Sequence, residues 1–384
     1  MRQIVCISTS NYFPVPTRKQ NVMNRLSNAE IIYIDPPVSL IAPLKDKSAL
    51  ARLTAFRKPG RKVRENLTVY AAPPVIPFFN KFRCINRINQ MLTAGYIRKL
   101  IKKHGFEKPY LWCYSPNSCD LVGRIPNSGV IYDCVDRHSA YKGMINPKVV
   151  DNMEKELAGG AKQVFCTAQG LYDTLIKYNK NTELIPNGAA YEIFSLAASH
   201  NRIEDDDTDK CKKPVFGFVG MLQECIDYDC LMKLAEAYPD GEIVLIGRAL
   251  PGVDLSGLKK YPNIRFAGLI PQKELPEHIR RFDVCLNIFR EGRLSKDVSP
   301  LKFYEYLATG KPIVSTREPL QVADYADVIY ISENAEDFVV KCGEALNESD
   351  PSKAKRRMVY GKLCSWDERV KQMEETLAEN EIFR

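Results

Sequence analysis

The sequence has 384 residues, of which 45% are hydrophobic and 27% are charged. This composition is typical of a folded globular protein and excludes extensive disorder, and the length predicts two domains. The net charge of +8 is uneven, because residues 1–110 hold 20 Lys+Arg and 5 Asp+Glu, a net +15, and the rest of the chain has a net charge of −7. An anionic membrane surface or a polyanion is therefore the predicted partner of the N-terminal half. The chain has none of the common nucleic-acid-binding motifs, which disfavours nucleic acid.

The N-terminus and the cysteines indicate a cytoplasmic protein. Residues 1–8 contain one apolar run of strand length and lack the longer apolar stretch and cleavage site of a signal peptide. No run of about 18 uncharged apolar residues predicts a membrane-spanning helix. The 12 cysteines are scattered without a Cys-x2-Cys pair, so reduced, packed thiols are favoured over metal ligation. Peripheral association with the inner face of the cell membrane is a further hypothesis from the basic N-terminal half.

Strands alternate with helices through the first half of the chain. Apolar runs predict strands over 3–8, 29–37, 67–71, 110–114, 129–132 and 163–167, and periodic segments predict helices over 18–26, 81–103 and 148–158. Because strands alternating with helices form a parallel sheet, a doubly wound, Rossmann-like α/β domain is expected over 1–188.

The pattern is interrupted and then starts again. The charged, non-periodic stretch 200–210 predicts an exposed connection, set at 189–213. Strands are predicted over 215–219, 242–246, 264–267, 284–288 and 312–315, and helices over 229–237, 274–280 and 301–308. A second Rossmann-like domain is therefore expected over 214–364, followed by a C-terminal helix over 365–384 that packs back on the first domain. Ligands bind beyond the carboxyl ends of such strands, so two domains facing each other would share one cleft.

The segment from Asp297 to Ser315 is the most informative part of the sequence. Pro300 suits the first turn of a helix, Ser299 can cap that helix, and Gly310 can end it before a buried strand. The free amides at this helix start, around Ser299, Pro300 and Leu301, form an anion site. The segment therefore predicts a phosphate-binding helix N-terminus.

Two charged side chains follow on this helix. Lys302 would add a full charge to the phosphate site, and Glu305, three residues later, lies on about the same face. A carboxylate at Glu305 can accept hydrogen bonds from ribose hydroxyls. The alternative is an ordinary solvated Lys302–Glu305 ion pair.

The stretch Tyr304–Val314 resembles the donor-binding helix, of the type E-A-M-A-x-G-x-P-V-V, of GT-B glycosyltransferases, in particular the retaining family 4. The resemblance implies two Rossmann-like domains across a cleft, sugar transfer with retention of configuration, and ribose binding by Glu305. The family usually has another glutamate eight positions earlier, near the sugar ring, and Asp297 stands there in this chain. The resemblance covers most of the chain between about residues 120 and 370.

Other segments resemble the family in the same order along the chain. The stretch 184–188 resembles its Pro-Asn-Gly turn between domains, Gly220 the glycine that lets a donor phosphate approach, and Ile270 the loop whose backbone reaches the nucleobase. Family members often present an Arg and a Lys just after that glycine, and this chain does not. Arg248, Arg293 and Lys302 are the candidate cations for the diphosphate, and solvated loop arginines are the alternative for the first two.

The stretch 130–139 resembles the Y-D-x-x-D segment of glycosyltransferases of bacterial surface-polysaccharide and teichuronic acid biosynthesis. Asp136 or His138 could act as a base on an acceptor hydroxyl, and Asp133 is a further acceptor-side candidate. Capping of the next helix is the alternative for Asp133 and Asp136. The start of the first helix resembles an R-P-Q segment of the same group, which makes Arg18 a candidate for an acceptor phosphate, with simple exposure as the alternative.

The stretch 81–92 places Ile85, Ile88 and Leu92 on one helical face, flanked by Arg83 and Arg87. A basic amphipathic helix of this kind can rest on anionic lipid headgroups. An ordinary helix packed on the protein surface is the alternative.

These features together predict a glycosyltransferase of the hexosyltransferase class. It would transfer a sugar from a nucleoside diphosphate sugar, UDP-linked in preference to GDP-linked, to a lipid-linked or polysaccharide acceptor in cell-surface glycan synthesis. No metal and no cofactor beyond the nucleotide-sugar co-substrate are expected, because cations and helix amides can stabilise the diphosphate. The alternatives are a nucleotide-sugar epimerase on the same fold and a non-catalytic protein that binds anionic glycolipid.

Overall fold

The computed structural model describes residues 1–141, 143–197, 213–292 and 296–383. It divides the chain into two compact units: unit 1 comprises Met1–Pro186 with Val370–Arg384, and unit 2 comprises Asn187–Arg369. Each unit is built on a parallel or mostly parallel sheet with helices between its strands. The prediction of two α/β domains with Rossmann-like sheets is confirmed.

Unit 1 contains an eight-stranded sheet of order β3-β4-β2-β1-β5-β6-β7-β8. Its strands are β1 (Arg2–Ile7), β2 (Ala29–Asp35), β3 (Arg61–Arg64), β4 (Leu67–Ala71), β5 (Tyr110–Cys113), β6 (Gly129–Cys134), β7 (Gln163–Cys166) and β8 (Thr182–Leu184). Neighbours pair in parallel except β3, which is antiparallel to β4. The strand order reverses between β1 and β5, and such a reversal leaves a crevice at the carboxyl edge of the sheet.

The helices of unit 1 before residue 187 are α1 (Arg18–Arg25), α2 (Ala49–Leu53), α3 (Arg83–Lys103), α4 (Cys119–Val122), α5 (Pro147–Gly160) and α6 (Gln169–Leu175). The predicted helices over 18–26, 81–103 and 148–158 correspond to α1, α3 and α5. The sequence did not predict β3, β8 or the short helices α2, α4 and α6, because three to seven residues carry too little periodicity to identify an element.

Unit 2 contains a six-stranded parallel sheet of order β11-β10-β9-β12-β13-β14. Its strands are β9 (Val215–Val219), β10 (Glu242–Ile246), β11 (Ile264–Gly268), β12 (Val284–Asn287), β13 (Ile313–Thr316) and β14 (Tyr330–Ser332). Its helices are α7 (Tyr191–Phe194), α8 (Tyr228–Ala237), α9 (Leu275–Arg280), α10 (Leu301–Thr309), α11 (Ala335–Leu346) and α12 (Pro351–Leu363). The order reverses between β9 and β12.

The predicted connection over 189–213 differs from the structure at its first residues. Ala189, Phe194 and Ala197 are buried in the core of unit 2, and the Ala189 N–H donates to the Cys364 carbonyl at 2.9 Å. These residues belong to unit 2 because their apolar side chains pack against it. The stretch 198–212 lies outside the described residues.

The C-terminal helix α13 (Trp366–Glu379) begins in unit 2, and its residues from Val370 onward belong to unit 1. Val370, Met373 and Leu377 recur at helical spacing and join the core that contains Ile4 and Ile31. This apolar stripe therefore packs the C-terminal part of α13 into the core of unit 1. No helix in the described parts of the chain is both long and apolar enough to cross a membrane.

Candidate functional site

The C-terminus of helix α10 is as predicted from the sequence, but the capping of its N-terminus is not. Pro300 is its N-cap residue and has no side-chain capping bond, and Gly310 ends the helix with a φ of 72°, as glycine readily does. The prediction that Ser299 caps the helix is wrong. The Ser299 hydroxyl instead accepts a hydrogen bond from the Asn187 N–H at 3.1 Å, and the Ser299 carbonyl accepts one from Asn187 Nδ2 at 2.7 Å.

The carboxylate of Glu305 is buried, with 2% of the residue exposed. Lys302 Nζ donates to its Oε2 at 2.5 Å, and Gln272 Nε2 donates to its Oε1 at 3.2 Å. Lys302 is 25% exposed and lies over the Phe194 ring at 5.6 Å. The alternative of a solvated ion pair is therefore wrong. Glu305 is held in one position, with the Lys302 ammonium beside it at the start of α10.

Three glycines lie at the carboxyl ends of neighbouring strands in unit 2. The Gly220 N–H donates to the Ile246 carbonyl at 2.9 Å, and the Gly247 N–H donates to the Gly268 carbonyl at 2.8 Å. Gly247 has a φ of 144°, and a Cβ there would lie 1.8 Å from the Gly220 carbonyl oxygen. Only glycine fits at 247, so the loop after β10 packs directly on the loop after β9.

Tyr306 connects α10 to this edge of the sheet. Its hydroxyl accepts a hydrogen bond from the N–H of Val219, the last residue of β9, at 2.7 Å, and the side chain is 1% exposed. Gly220 follows Val219 directly. The helix that carries Lys302 and Glu305 is therefore joined to the strand end at which the sheet order reverses, where ligands of such sheets bind.

The remaining donor-side candidates have different surroundings. Asp297 is buried, with 4% of the residue exposed, and Arg248 is exposed in the loop after β10. Ile270 is half-buried and packs against the core of unit 2. Arg293 lies outside the described residues. Among the candidate cations that the structure describes, Lys302 is thus the one placed beside Glu305.

A second polar cluster lies where the sheet order of unit 1 reverses. Arg18, at the start of α1, is 3% exposed, and its Nε donates to both oxygens of the fully buried Asp133 at 2.9 and 3.0 Å. Its Nη1 donates to the Pro186 carbonyl at 3.0 Å. Helix capping by Asp133 and exposure of Arg18 were the alternatives, and both are wrong. Arg18 and Asp133 therefore form a buried ion pair with each other.

Asp136 and His138 follow β6 in the same cluster. Asp136 is exposed and accepts a hydrogen bond from the Tyr141 hydroxyl at 3.0 Å. Burial lowers the pKa of His138 to about 4, with Lys19 acting in the same direction and Asp136 opposing it. Burial also lowers the pKa of Lys19, and Asp136 and Asp133 oppose that shift. His138 is therefore a neutral imidazole at pH 7, and its Nδ1 finds no hydrogen-bond partner within the described residues.

Four residues of these two clusters were missed in the sequence: Lys19, Asn187, Gln272 and Tyr306. Lys19 adjoins Arg18, but its burial, with 8% of the residue exposed, depends on the packing of α1. Gln272 is 33 residues from Glu305 and Asn187 is 112 from Ser299, so no local pattern could join them. Tyr306 lies within the resembling stretch, where an aromatic residue is more simply part of the core.

Comparison with known families decides the class of unit 2. Residues 213–348 match the family described as Glycosyl transferases group 1. These residues form a group 1 glycosyltransferase domain. The chain is accordingly a glycosyltransferase, and Glu305, Lys302 and the three strand-end glycines all lie within the group 1 domain.

Individual proteins agree with this class. The chain is 24% identical over 278 residues to the putative teichuronic acid biosynthesis glycosyltransferase TuaH of Bacillus subtilis, covering 68% of this chain and 70% of TuaH. Its fold is similar to that of sucrose-phosphate synthase from Thermosynechococcus elongatus, with a TM-score of 0.70, 14% identity and 99% of each chain covered. It is also similar to Anabaena HepE in complex with UDP and glucose, with a TM-score of 0.64, 13% identity, and 98% of this chain and 99% of HepE covered. The fold is that of GT-B glycosyltransferases.

Proposed function

We propose that this group 1 glycosyltransferase transfers a sugar from a nucleoside diphosphate sugar, UDP-linked in preference to GDP-linked, to a lipid-linked or polysaccharide acceptor in cell-surface glycan synthesis. The observation that carries the proposal is the buried Glu305 carboxylate beside Lys302 at the start of α10. Two comparisons support it: HepE was solved with UDP and glucose, and TuaH is named for teichuronic acid biosynthesis.

The donor is held by unit 2 in this proposal. Glu305 accepts hydrogen bonds from the ribose hydroxyls, and the N-terminal amides of α10 and Lys302 bind the diphosphate. Gly220 lets a phosphate approach the backbone, and the backbone at Ile270 reaches the nucleobase. A departing nucleoside diphosphate gains negative charge in the transition state, so the cations act chiefly there.

Three further residues complete the proposed donor site. Arg248 and Arg293 add positive charge near the diphosphate, and Asp297 lies near the transferred sugar. The proposal includes no metal and no cofactor beyond the nucleotide sugar.

Unit 1 supplies the acceptor side in this proposal. A neutral His138 can take a proton from an acceptor hydroxyl, which an imidazolium could not do, and the exposed Asp136 carboxylate is the second candidate base. Asp133 fixes Arg18 beside them. The excess of basic residues in residues 1–110 supports a cytoplasmic enzyme that works at the inner face of the cell membrane.

Incubation of the purified protein with a panel of UDP- and GDP-sugars tests this function. We expect one UDP-sugar to raise the melting temperature and to be hydrolysed slowly to free sugar and UDP in the absence of acceptor. Conversion of the sugar without release of UDP would instead identify an epimerase. Binding of no nucleotide sugar, together with binding of anionic glycolipid, would identify a non-catalytic binding protein.

The low pKa of His138 gives a prediction for stability against pH. An unfolded histidine titrates near a pKa of about 6.5, whereas folded His138 titrates at about 4. Between these values the unfolded chain binds more protons, so the free energy of unfolding of unit 1 falls as the pH is lowered through this range. The contribution of the neutral His138 imidazole to the free energy of unfolding is fully present above pH 6.5. Urea unfolding of the wild type and of His138→Gln at a series of pH values measures it, and the variant should show the shallower dependence.

His278→Gln, in unit 2, controls for the loss of one imidazole. The same pH dependence in the wild type and in His138→Gln would contradict the buried neutral imidazole. The base assignment has a separate readout, because activity that depends on neutral His138 should continue without a step near pH 6.5 and should fall only at lower pH.

A further inference from the structure

The first half of helix α3 buries polar side chains and exposes apolar ones, which is the reverse of an ordinary surface helix. Its buried residues there are Asn86, Asn89 and Thr93, with at most 8% of each exposed. Three apolar residues there are exposed: Ile88 is 45% exposed, Met91 50% and Leu92 52%. A surface helix normally presents its apolar stripe to the core. Helix α3 is packed on unit 1, as the alternative had it, through Ala94, Ile97, Leu100 and Ile101, while its first half exposes an apolar stripe.

The second half of α3 buries Ala94, Ile97 and Leu100 in the core, and in the first half buried asparagines hold the same orientation. Asn86 Nδ2 donates to the Asn117 carbonyl at 3.0 Å and to Asp120 Oδ2 at 2.7 Å. Asn89 accepts from the Ile76 N–H and donates to the Ile76 carbonyl, both at 2.9 Å. Rotating α3 to bury its apolar side chains would leave these polar groups without partners, at a cost of about 1–3 kcal/mol each. The apolar exposure is therefore built into the fold of unit 1.

Segments that hydrogen-bond to α3 or lead into it carry further exposed apolar side chains. The Asn89 side chain hydrogen-bonds to the backbone of Ile76. The Leu40 N–H donates to the Val75 carbonyl at 2.9 Å. The segment 75–82 then leads directly into α3. We call the exposed side chains of these segments the apolar face; its members are Leu40, Phe78, Phe82, Ile88, Met91 and Leu92, each 40–52% exposed.

Positive charge flanks the apolar face. Helix α3 contains six Lys+Arg and no Asp or Glu. Lys99 and Lys102 are exposed and continue the stripe of Ile88 and Leu92 at helical spacing, and Arg87 is 62% exposed at the other end. This combination of an apolar stripe with basic flanks is the pattern of helices that lie in a membrane interface.

We propose that the apolar face is the surface by which this enzyme binds an anionic lipid bilayer, with α3 lying in the plane of the interface. Ile88, Met91 and Leu92 enter the boundary between headgroups and acyl chains, and Arg87, Lys99 and Lys102 contact the anionic headgroups. The choice of lipid as the occupant follows from the charge complementarity. The inference rests on the proposed function only in that a lipid-linked acceptor would explain why the enzyme stays at a membrane.

Sedimentation with vesicles of phosphatidylglycerol and phosphatidylcholine tests the proposal on the full chain. The wild type should bind at low salt, and the variant Ile88→Gln/Met91→Gln/Leu92→Gln should bind about 100-fold more weakly, because it loses three inserting side chains while glutamine keeps the helix. Lys99→Gln/Lys102→Gln should bind more weakly and show a smaller salt dependence.

The matched control is Val340→Gln/Val359→Gln/Leu363→Gln in unit 2, which removes three apolar side chains of 54–59% exposure and should bind vesicles as the wild type does. The proposal is overturned if the wild type does not bind, if the α3 variant binds equally well, or if vesicles of phosphatidylcholine alone bind equally. A dimer that the α3 variant abolishes, without vesicle binding, would also overturn it. UDP binding should be unchanged in the α3 variant, so failure of the donor assignment is distinguishable from failure of this proposal.

Discussion

Replacement of Glu305 by glutamine is expected to weaken UDP binding by about 10- to 100-fold, as measured by isothermal titration. The variant keeps the size of the side chain and removes the charge that Lys302 and the ribose hydroxyls share. Hydrogen bonds to a charged group contribute about 1.5–3 kcal/mol, and about 1.4 kcal/mol corresponds to a tenfold change in affinity. Glu305→Ala should weaken binding further, because it also leaves Gln272 Nε2 without its acceptor.

Helix α11 offers a matched control for this experiment. Lys341 and Glu344 form the same i,i+3 ion pair in unit 2, but Glu344 is 46% exposed. Exposed pairs contribute about 0–1 kcal/mol, so Glu344→Gln should leave both UDP affinity and stability close to those of the wild type. Unchanged UDP affinity in both Glu305 variants would disprove the donor site at α10.

Replacement of Asp133 by alanine is expected to lower the free energy of unfolding of unit 1 by about 3–5 kcal/mol. The variant leaves the Arg18 guanidinium charged and 3% exposed, and among the described residues the Pro186 carbonyl is its remaining hydrogen-bond acceptor. A buried charge without its partner keeps the whole cost of leaving water. Urea unfolding measures the change.

The two tryptophans of the chain make the measurement specific, because Trp112 lies in unit 1 and Trp366 in unit 2. A Trp366→Phe background therefore reports on unit 1 alone by fluorescence. Glu156→Ala is the control, since Glu156 pairs with Arg83 in the same unit and is 55% exposed. Its loss should cost no more than about 1 kcal/mol. An equal cost for Asp133→Ala and Glu156→Ala would contradict the buried pair.

A third variant separates stability from function at this pair. Arg18→Leu/Asp133→Leu removes both charges together, and replacement of a buried pair by apolar residues is often neutral. The double variant should therefore recover much of the stability lost in Asp133→Ala. Acceptor-dependent transfer should remain impaired if Arg18 contributes to the acceptor side.

Strands β9 and β10 begin and end at the residues predicted from the sequence, Val215–Val219 and Glu242–Ile246. Strands of a parallel sheet are buried on both faces, so each reads as a continuous apolar run bounded by polar or turn residues. The start of α10 and the closeness of Lys302 to Glu305 were equally available from the sequence, because residues three apart on a helix lie on one face. The chain by itself therefore determined the α/β class and the local arrangement of helix α10.

Only the tertiary structure decided which distant residues meet. Arg18 and Asp133 are 115 residues apart, and their pairing depends on the order in which β1, β5 and β6 lie in the sheet. The periodicity of α3 showed an apolar face at Ile88 and Leu92 but not the direction in which that face points. That direction is set by the packing of Ala94, Ile97 and Leu100 in the core and by the hydrogen bonds of Asn86 and Asn89 to Asn117 and Ile76. Periodicity specifies a face, whereas long-range packing specifies what that face meets.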